Sequence, residues 1–323
     1  MERSLNKFFL IGLLFLLTGI VNSAHHEMIN FGLVVHGGSG TYSGLTEAST
    51  KTYKKGIDTA LEAGYRILEK GGTSLDAVTA AVTILEDLPQ FNAGKGAVYT
   101  SAEVQEMDAS IMDGATGKGG AVASISHIKN PILLSRAVME KSEHVMLVGK
   151  GAEQFATTVG IDLVDPSYFH SEKNLNRLRK NQKDKKLGTV GAVALDKKGN
   201  LSAATSTGGR SNKMPGRVGD SPILGAGTWA QNGFCAVSGT GHGEYFMRLL
   251  TAADVCKLME YSNLTLKDSS DKVIKKLTVA GGAGGIISID SKGNISTPFN
   301  TKGMVRGYRT NKISKAIKIY KDI

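Results

Sequence analysis

Thr189 is the first side chain able to do chemistry in an otherwise inert stretch of the chain. It follows Gly188 and precedes Val, Gly and Ala residues that continue to Leu195. These small and β-branched residues predict a buried strand, which a threonine would ordinarily only begin. A threonine hydroxyl becomes a nucleophile only when a base accepts its proton. A threonine at a new amino terminus would carry that base itself, because an α-amino group titrates near ~7.7–8.0.

Arg217 and Asp220 form a second reactive pair downstream of Thr189. A guanidinium can bind a carboxylate through two parallel hydrogen bonds, and a carboxylate can hold an ammonium group. Taken alone, the pair indicates a surface salt bridge of little energetic value. Beside a nucleophilic threonine, it predicts a site for the free amino-acid end of a small substrate.

The segment before Thr189 differs in composition from the rest of the chain. Residues 161–186 are polar and rich in Lys and Arg. Such a composition buries too little apolar area to fold well, so we expect a basic linker over about 161–188. The linker places the Gly188–Thr189 bond at an accessible junction, where a cut would create the new amino terminus.

The composition of the 323 residues is that of a globular protein, with 41% hydrophobic and 21% charged residues. The net charge of +10 is dispersed and aromatic residues are only 6%, which argues against a nucleic-acid partner. Cys235 and Cys256 are the only cysteines and could form one disulfide, although Cys235 lies in an apolar stretch typical of a small core residue. No cysteine–histidine spacing indicates a metal site.

The first 23 residues predict an export signal. Arg3 and Lys7 precede an apolar run, and small residues follow it where a signal peptidase would cut. The run is shorter than the ~20 residues that span a bilayer, so we expect no stable membrane anchor after its removal. An uncleaved anchor is the alternative. We therefore expect a periplasmic or secreted protein.

The pattern of apolar residues predicts a mixed α and β chain. Helical spacing indicates helices from Tyr53 to Leu68, from a Ser74 cap to Leu85, from Pro131 to Val138 and from Glu244 to Leu258. Strands are predicted at residues 31–35, 120–126 and 234–238, with hairpins at 189–203 and 285–297. Asp108 and Asp113 are more typical of structural caps than of an acid–base pair.

Seven motifs, in this order along the chain, resemble those of the plant-type L-asparaginase and isoaspartyl aminopeptidase (β-aspartyl peptidase) family, which belongs to the N-terminal nucleophile (Ntn) hydrolases. They are HGGSG (36–40), FNAGKG (91–96), MDASIMDG (107–114), GTVGAVA (188–194), TSTGG (205–209), PGRVGDSP (215–222) and SGTGHGE (238–244). The resemblance covers nearly all of the chain after residue 30. It implies an α+β fold, the four-layer αββα sandwich of the Ntn-hydrolase type.

The same resemblance implies an enzyme that cuts itself between Gly188 and Thr189. Residues 24–188 would then form an α subunit and residues 189–323 a β subunit, together making one folded domain. The catalytic residues implied are Thr189, Thr207, Thr240, Gly241 and Asn92. Thr207 would tune the nucleophile, Asn92 would position it, and Thr240 and Gly241 would form an oxyanion hole.

Substrate binding is implied for Arg217, Val218, Gly219, Asp220, Thr240, Gly241, His242 and Gly243. The substrate implied is L-asparagine, hydrolysed to L-aspartate and ammonia, or a β-aspartyl (isoaspartyl) dipeptide. Two alternatives remain open. A glycosylasparaginase shares the fold and acts on the sugar–asparagine linkage, whereas an exported amino-acid-binding protein would use Arg217 and Asp220 without chemistry.

No cofactor is expected for catalysis. The resemblance implies a structural sodium ion held by main-chain carbonyl groups of Leu85, Glu86, Leu88, Phe91, Ala93 and Lys95. It also implies a dimer of αβ heterodimers.

Overall fold

The computed structural model describes residues 30–42, 44–180 and 186–321, and only the backbone of residues 186 and 187. The predicted export signal, residues 1–23, lies outside the described residues. The strands are β1 Gly32–Gly40, β2 Met107–Asp113, β3 Gly119–Ile125, β4 Met146–Val148, β5 Lys186–Leu187, β6 Val190–Leu195, β7 Leu201–Thr207, β8 Thr228–Gln231, β9 Cys235–Gly241, β10 Gly284–Asp290, β11 Ile295–Ser296, β12 Gly303–Thr310 and β13 Ala316–Lys318. The helices are α1 Glu47–Glu69, α2 Ser74–Glu86, α3 Pro131–Lys141, α4 Gly149–Thr158, α5 Glu172–Arg179, α6 Gly243–Leu249, α7 Thr251–Ser262 and α8 Leu266–Val279, with 3-10 turns at Gly94–Gly96 and Pro166–Phe169.

Two sheets lie face to face between two layers of helices. The larger sheet has the order β13-β12-β1-β6-β7-β2-β3-β4, with β5 also paired to β1, and the smaller has the order β11-β10-β9-β8. Helices α1, α2 and α3 pack on the outer face of the larger sheet, and α7 and α8 pack on the smaller one. Strands β1, β6 and β7 contact β9 or β10 across the middle. This is the predicted four-layer αββα sandwich.

Apolar side chains fill each of the three spaces between layers. Between the sheets lie Val34, Val193, Leu201, Ile287 and Met304, all without solvent exposure. Separate apolar clusters join α1 and α2 to the larger sheet, and α7 and α8 to the smaller one. Burial on both faces explains why β6 and β7 consist of continuous small and β-branched residues.

Strand pairing brings the predicted nucleophile to the centre of the larger sheet. Strand β6, which follows Thr189, pairs antiparallel with β1 and β7, so that His36 lies opposite Gly191 and Val190 opposite Ser206. Both predicted hairpins are confirmed, the first formed by β6 and β7 and the second by β10 and β11.

Two predictions about elements were wrong in detail. The cap of α2 is Thr73, whose side chain accepts from the Asp76 amide, and Ser74 is the first helical residue. The helix predicted from Glu244 to Leu258 is two helices, because Leu250 adopts a left-handed conformation with φ of 49° that ends α6. The question left open for the cysteines is answered, because Cys235 is fully buried and forms a disulfide with Cys256.

The segment predicted as a poorly folding linker contains a 3-10 turn and helix α5. Its few apolar residues are used efficiently, since Phe169, Leu175 and Leu178 are all buried, the last two against Tyr99. The average composition of the segment concealed this local apolar stripe. No helix in the part of the chain that the structure describes is long and apolar enough to cross a membrane.

Candidate active site

Thr189 lies at the buried entrance to β6, with only 6% of its surface exposed. Its hydroxyl donates a hydrogen bond of 3.1 Å to the hydroxyl of Thr207, the last residue of β7. The β6–β7 hairpin therefore positions both threonines, because its register brings the start of one strand beside the end of the other.

Thr207 also contacts the bond that precedes Thr189. Its hydroxyl donates to the carbonyl oxygen of Gly188 at 3.3 Å and accepts from the backbone N–H of Gly209 at 2.9 Å. One hydroxyl thus holds the Thr189 hydroxyl and polarises the carbonyl group beside it. This arrangement suits attack by the threonine oxygen on its own preceding peptide bond.

Asn92 lies beside Gly188, on the strand-entry side of the same region. Its side-chain N–H donates to the Gly209 carbonyl at 2.7 Å, and its side-chain oxygen accepts from the Val98 amide at 3.0 Å. A Cβ on Gly188 would lie 2.7 Å from the Cβ of Asn92, so only glycine fits at that position. The structure therefore brings Gly188, Thr189, Thr207 and Asn92 together.

Strand β9 faces the end of β1 beside these residues. The Thr240 hydroxyl accepts from the Ser39 amide at 3.1 Å, and the Ser39 hydroxyl donates to the Thr240 carbonyl at 2.9 Å. These bonds tie Thr240 to β1. The oxyanion role assigned to Thr240 and Gly241 stays a prediction.

His36 is a buried residue of this region that sequence reasoning did not assign. Its Nε2 atom lies 3.0 Å from the Ser238 hydroxyl. Burial lowers the pKa of His36 to about 3, although a hydrogen bond with the Thr189 backbone opposes the shift. The imidazole is therefore neutral, and it packs where any side chain on Gly191 would collide with it, 2.5 Å from the position of that Cβ.

Arg217 and Asp220 both closely approach Gly243. A Cβ on that glycine would lie 2.9 Å from Asp220 Oδ1 and 3.0 Å from Arg217 Nη2. A guanidinium and a carboxylate this close together suit the carboxylate and ammonium of an amino acid. The predicted pair is thus together, with Gly219 packed against Arg217 Nη1.

Asp220 is almost fully buried, at 3% exposure, and its Oδ2 atom has no hydrogen-bond partner among the described residues. Burial raises the pKa of Asp220 to about 7, with Arg217 opposing the shift. A buried carboxylate oxygen without a partner is costly. A substrate ammonium group bound by Asp220 would supply that partner.

The sequence did not reveal Lys213 and Asp108 as parts of this site. Lys213 is 5% exposed, and its Nζ atom donates to the Glu106 carbonyl at 2.8 Å. Burial lowers the pKa of Lys213, and the nearby Asp108 carboxylate opposes that shift. Asp108 does bond the Ser124 amide at 2.9 Å, as a structural residue would, but it also stands opposite Thr207 in the β2–β7 pairing. The position of Asp108 inside the MDASIMDG motif was the available signal.

Two further predicted residues line the rim of the site. His242 precedes α6, and burial, with Arg210 and Arg217 nearby, lowers its pKa. Val218 lies between Arg217 and Gly219 and is half-buried. Neither has a described contact that tests its predicted role.

The loop predicted to hold sodium has closely approaching carbonyl groups. A Cβ on Gly94 would lie 2.5 Å from the Glu86 carbonyl oxygen, and one on Gly96 would lie 1.8 Å from that of Phe91. Such inward carbonyls are the hard oxygen donors that alkali and alkaline-earth cations prefer. The sodium site assigned to the six carbonyl groups of this loop stays a prediction. No cluster of three acidic, His or Cys side chains suited to a metal occurs in the described ranges.

Comparison with known proteins gives a consistent result. A family model described as "Asparaginase" matches residues 29–319. The chain is 47% identical to the isoaspartyl peptidase of Escherichia coli K12, over 85% of this chain and 92% of that protein. It is 42% identical to the isoaspartyl peptidase/L-asparaginase of Xenopus laevis, over 84% and 90% of the two chains. It is 40% identical to the plant-type L-asparaginase of Pyrobaculum calidifontis, over 85% and 96%.

Proposed function

The chain belongs to the asparaginase family of Ntn hydrolases, and from this premise we propose that it hydrolyses L-asparagine and β-aspartyl dipeptides with Thr189 as nucleophile. The observation that carries the proposal is the hydrogen-bonded contact of Thr189 with Thr207, which also holds the Gly188 carbonyl. The names of the relatives support the substrate class, since they specify isoaspartyl peptides and asparagine.

The first step is self-processing. The Thr189 hydroxyl oxygen attacks the Gly188 carbonyl carbon, and the peptide C–N bond breaks. The nitrogen keeps its own proton and takes up the proton lost by the hydroxyl, so that it becomes the new amino group. Water then hydrolyses the resulting ester and leaves Gly188 as a carboxylate and Thr189 as an amino terminus. Thr207 donates to the oxygen on which charge develops, which is where such a donor has its largest effect.

In the processed protein the Thr189 amino group accepts the hydroxyl proton. Arg217 binds the substrate α-carboxylate and Asp220 its ammonium, so the side-chain carbonyl group extends toward Thr189. Attack forms an acyl ester and releases ammonia from asparagine, or an amino acid from a β-aspartyl dipeptide. Water hydrolyses the ester to aspartate. Thr240 and Gly241 are the proposed donors to the intermediate's oxygen.

A sodium ion on the carbonyls of the 85–95 loop would act structurally. It would hold the main chain of the loop that carries Asn92, and it takes no part in the reaction. Glu86 links this loop to the site, because its Oε1 atom accepts from the Ser206 hydroxyl at 2.6 Å.

We also propose export and pairing of two processed protomers. Export is supported by the predicted signal at residues 1–23 and by the Cys235–Cys256 disulfide, since disulfides persist mainly in oxidising compartments. Pairing follows from the family resemblance alone.

The proposal is tested by intact-mass spectrometry and kinetics on the purified wild type, Thr189→Ala and Thr59→Ala. Thr59 is an exposed threonine of α1 and provides the control. We expect two fragments meeting at Gly188–Thr189, with hydrolysis of asparagine and β-aspartyl-leucine, in the wild type and Thr59→Ala only. An intact, inert wild type would refute the proposal and favour an amino-acid-binding protein.

A further inference from the structure

The Glu244 carboxylate is bound to the Arg217 guanidinium, which is the group proposed to bind the substrate α-carboxylate. Both Nε and Nη2 of Arg217 donate to Glu244 Oε1, at 3.0 and 2.9 Å. The group assigned to bind a substrate carboxylate therefore already holds a carboxylate of the protein itself.

The geometry makes the two carboxylates competitors. Nη1 of Arg217 lies against Gly209 and Gly219, 3.3 and 2.9 Å from where a Cβ would stand on each. Glu244 is bound at the Nε–Nη2 edge of the guanidinium, and a substrate carboxylate held there by two parallel hydrogen bonds would need the same two donors. Nη2 is also the Arg217 atom nearest to the Cβ position of Gly243, which Asp220 approaches as well, so an amino acid bound beside Asp220 meets the donor that Glu244 is using.

A second arginine, Arg210, lies close enough to pair with Glu244. Arg210 Nη1 lies 3.7 Å from Glu244 Oε2, the oxygen that Arg217 does not hold. The Arg210 and Glu244 side chains are 50% and 45% exposed, whereas that of Arg217 is 17% exposed. Glu244 can therefore turn toward Arg210 within solvent, while Arg217 stays fixed.

We propose that Glu244 is an internal stand-in for the substrate α-carboxylate, displaced from Arg217 by substrate and then held by Arg210. The inference rests on the proposed function and adds two specificity-determining residues to it. Neither touches the reacting bond. Both set the affinity for ligands with a free α-carboxylate, including the product L-aspartate.

The experiment measures KM for asparagine and the inhibition constant of L-aspartate in the processed enzyme, for Glu244→Gln, Arg210→Gln and the double variant. Lys276→Gln, which breaks the distant Lys276–Asp254 pair, is the matched control. Removing the competing carboxylate should lower both constants by about two- to fivefold, the range that exposed ion pairs produce. Removing Arg210 should raise both by a similar factor, with kcat unchanged.

The double variant distinguishes an exchange from a general charge effect. Its KM and its inhibition constant should equal those of Glu244→Gln. Once Glu244 is gone there is no carboxylate for Arg210 to bind, so the further loss of Arg210 should have no effect. If Glu244→Gln raises KM, Glu244 merely buttresses Arg217 and the inference is wrong. If Glu244→Gln does not fold, Arg210→Gln decides alone, and an unchanged or lower KM overturns the exchange. A wild type without hydrolysis would overturn the proposed function as well.

Discussion

The Thr189 hydroxyl donates to the Thr207 hydroxyl at 3.1 Å, and the same Thr207 hydroxyl donates to the Gly188 carbonyl at 3.3 Å. The Thr207 side chain thus contacts both the hydroxyl that would attack and the carbonyl group that would be attacked. Its loss should affect self-processing as well as turnover.

Thr207→Val keeps the shape of the residue and removes its hydroxyl. We expect the half-life of the Gly188–Thr189 bond to increase and kcat to fall by about 100- to 1,000-fold, as when an oxyanion donor is removed. Time-resolved intact mass and steady-state kinetics measure the two effects. Thr207→Ser keeps a hydroxyl and should retain both self-processing and turnover. Full processing in Thr207→Val would contradict the assigned role.

Gly243→Ala should block substrate without blocking processing. The added Cβ would lie 2.9 Å from Asp220 Oδ1 and 3.0 Å from Arg217 Nη2, so it would displace the two groups proposed to bind the substrate. We expect KM for asparagine to rise at least about tenfold while the two fragments still form, since such a loss corresponds to ~1.4 kcal/mol. Gly151→Ala is the control, because a Cβ there meets no atom within 4 Å.

Asp220 should make substrate affinity depend on pH. Burial raises its pKa to about 7, so the carboxylate that binds the substrate ammonium is lost on acidification and KM should rise below that pH. Asp220→Asn should raise KM at every pH and flatten the profile. A wild-type KM that is constant from pH 5 to 8 would rule out this assignment.

The raised pKa of Asp220 also makes the stability of the folded protein depend on pH. The native protein keeps the Asp220 proton up to about pH 7, whereas an unfolded aspartate loses it near its ordinary pKa of 3.8. The contribution of Asp220 to stability is therefore full below that value and is lost as pH rises through about 7. Thermal melts should show Asp220→Asn gaining stability relative to wild type between pH 4 and pH 8.

Reduction of the Cys235–Cys256 disulfide should destabilise the layer formed by α7 and β9. The bond closes a loop with a sequence separation of 21. Chain entropy predicts a loss of roughly 3 kcal/mol when such a loop is opened. Cys235→Ser with Cys256→Ser should lower the melting temperature as dithiothreitol does. Equal melting of the oxidised and reduced protein would show that the bond is absent or without effect.

The sequence predicted the site best for residues that stand in the family motifs and whose side chains could do chemistry. Thr189, Thr207, Arg217 and Asp220 stand in motifs, so their convergence followed from the resemblance. Glu244 also stands in a motif, but its ion pairs with Arg217 and Arg210 depend on how α6 meets a separate loop. Nothing in local periodicity specifies such a contact.

Lys213 and α5 were missed for different physical reasons. A lysine is expected at the surface, and the burial of Lys213 is made tolerable by the Glu106 carbonyl and by the nearby Asp108 and Glu106 carboxylates. In α5, charged residues dominate the average composition, yet Leu175 and Leu178 share one face and pack on Tyr99. Average composition hides an apolar stripe of two residues.

The strand order gives the proposed cut a consequence for refolding. In the larger sheet, β1 lies between β12 and β6, and β2 pairs with β7, so strands from before and after Gly188 alternate. Hydrolysis at Gly188–Thr189 would leave two chains whose strands pair with each other at three places, β12 with β1, β1 with β6, and β7 with β2. The precursor can refold by itself, whereas the two processed chains must first meet. Their recovery after heating would therefore depend on protein concentration, and maturation would turn a first-order process into a second-order one.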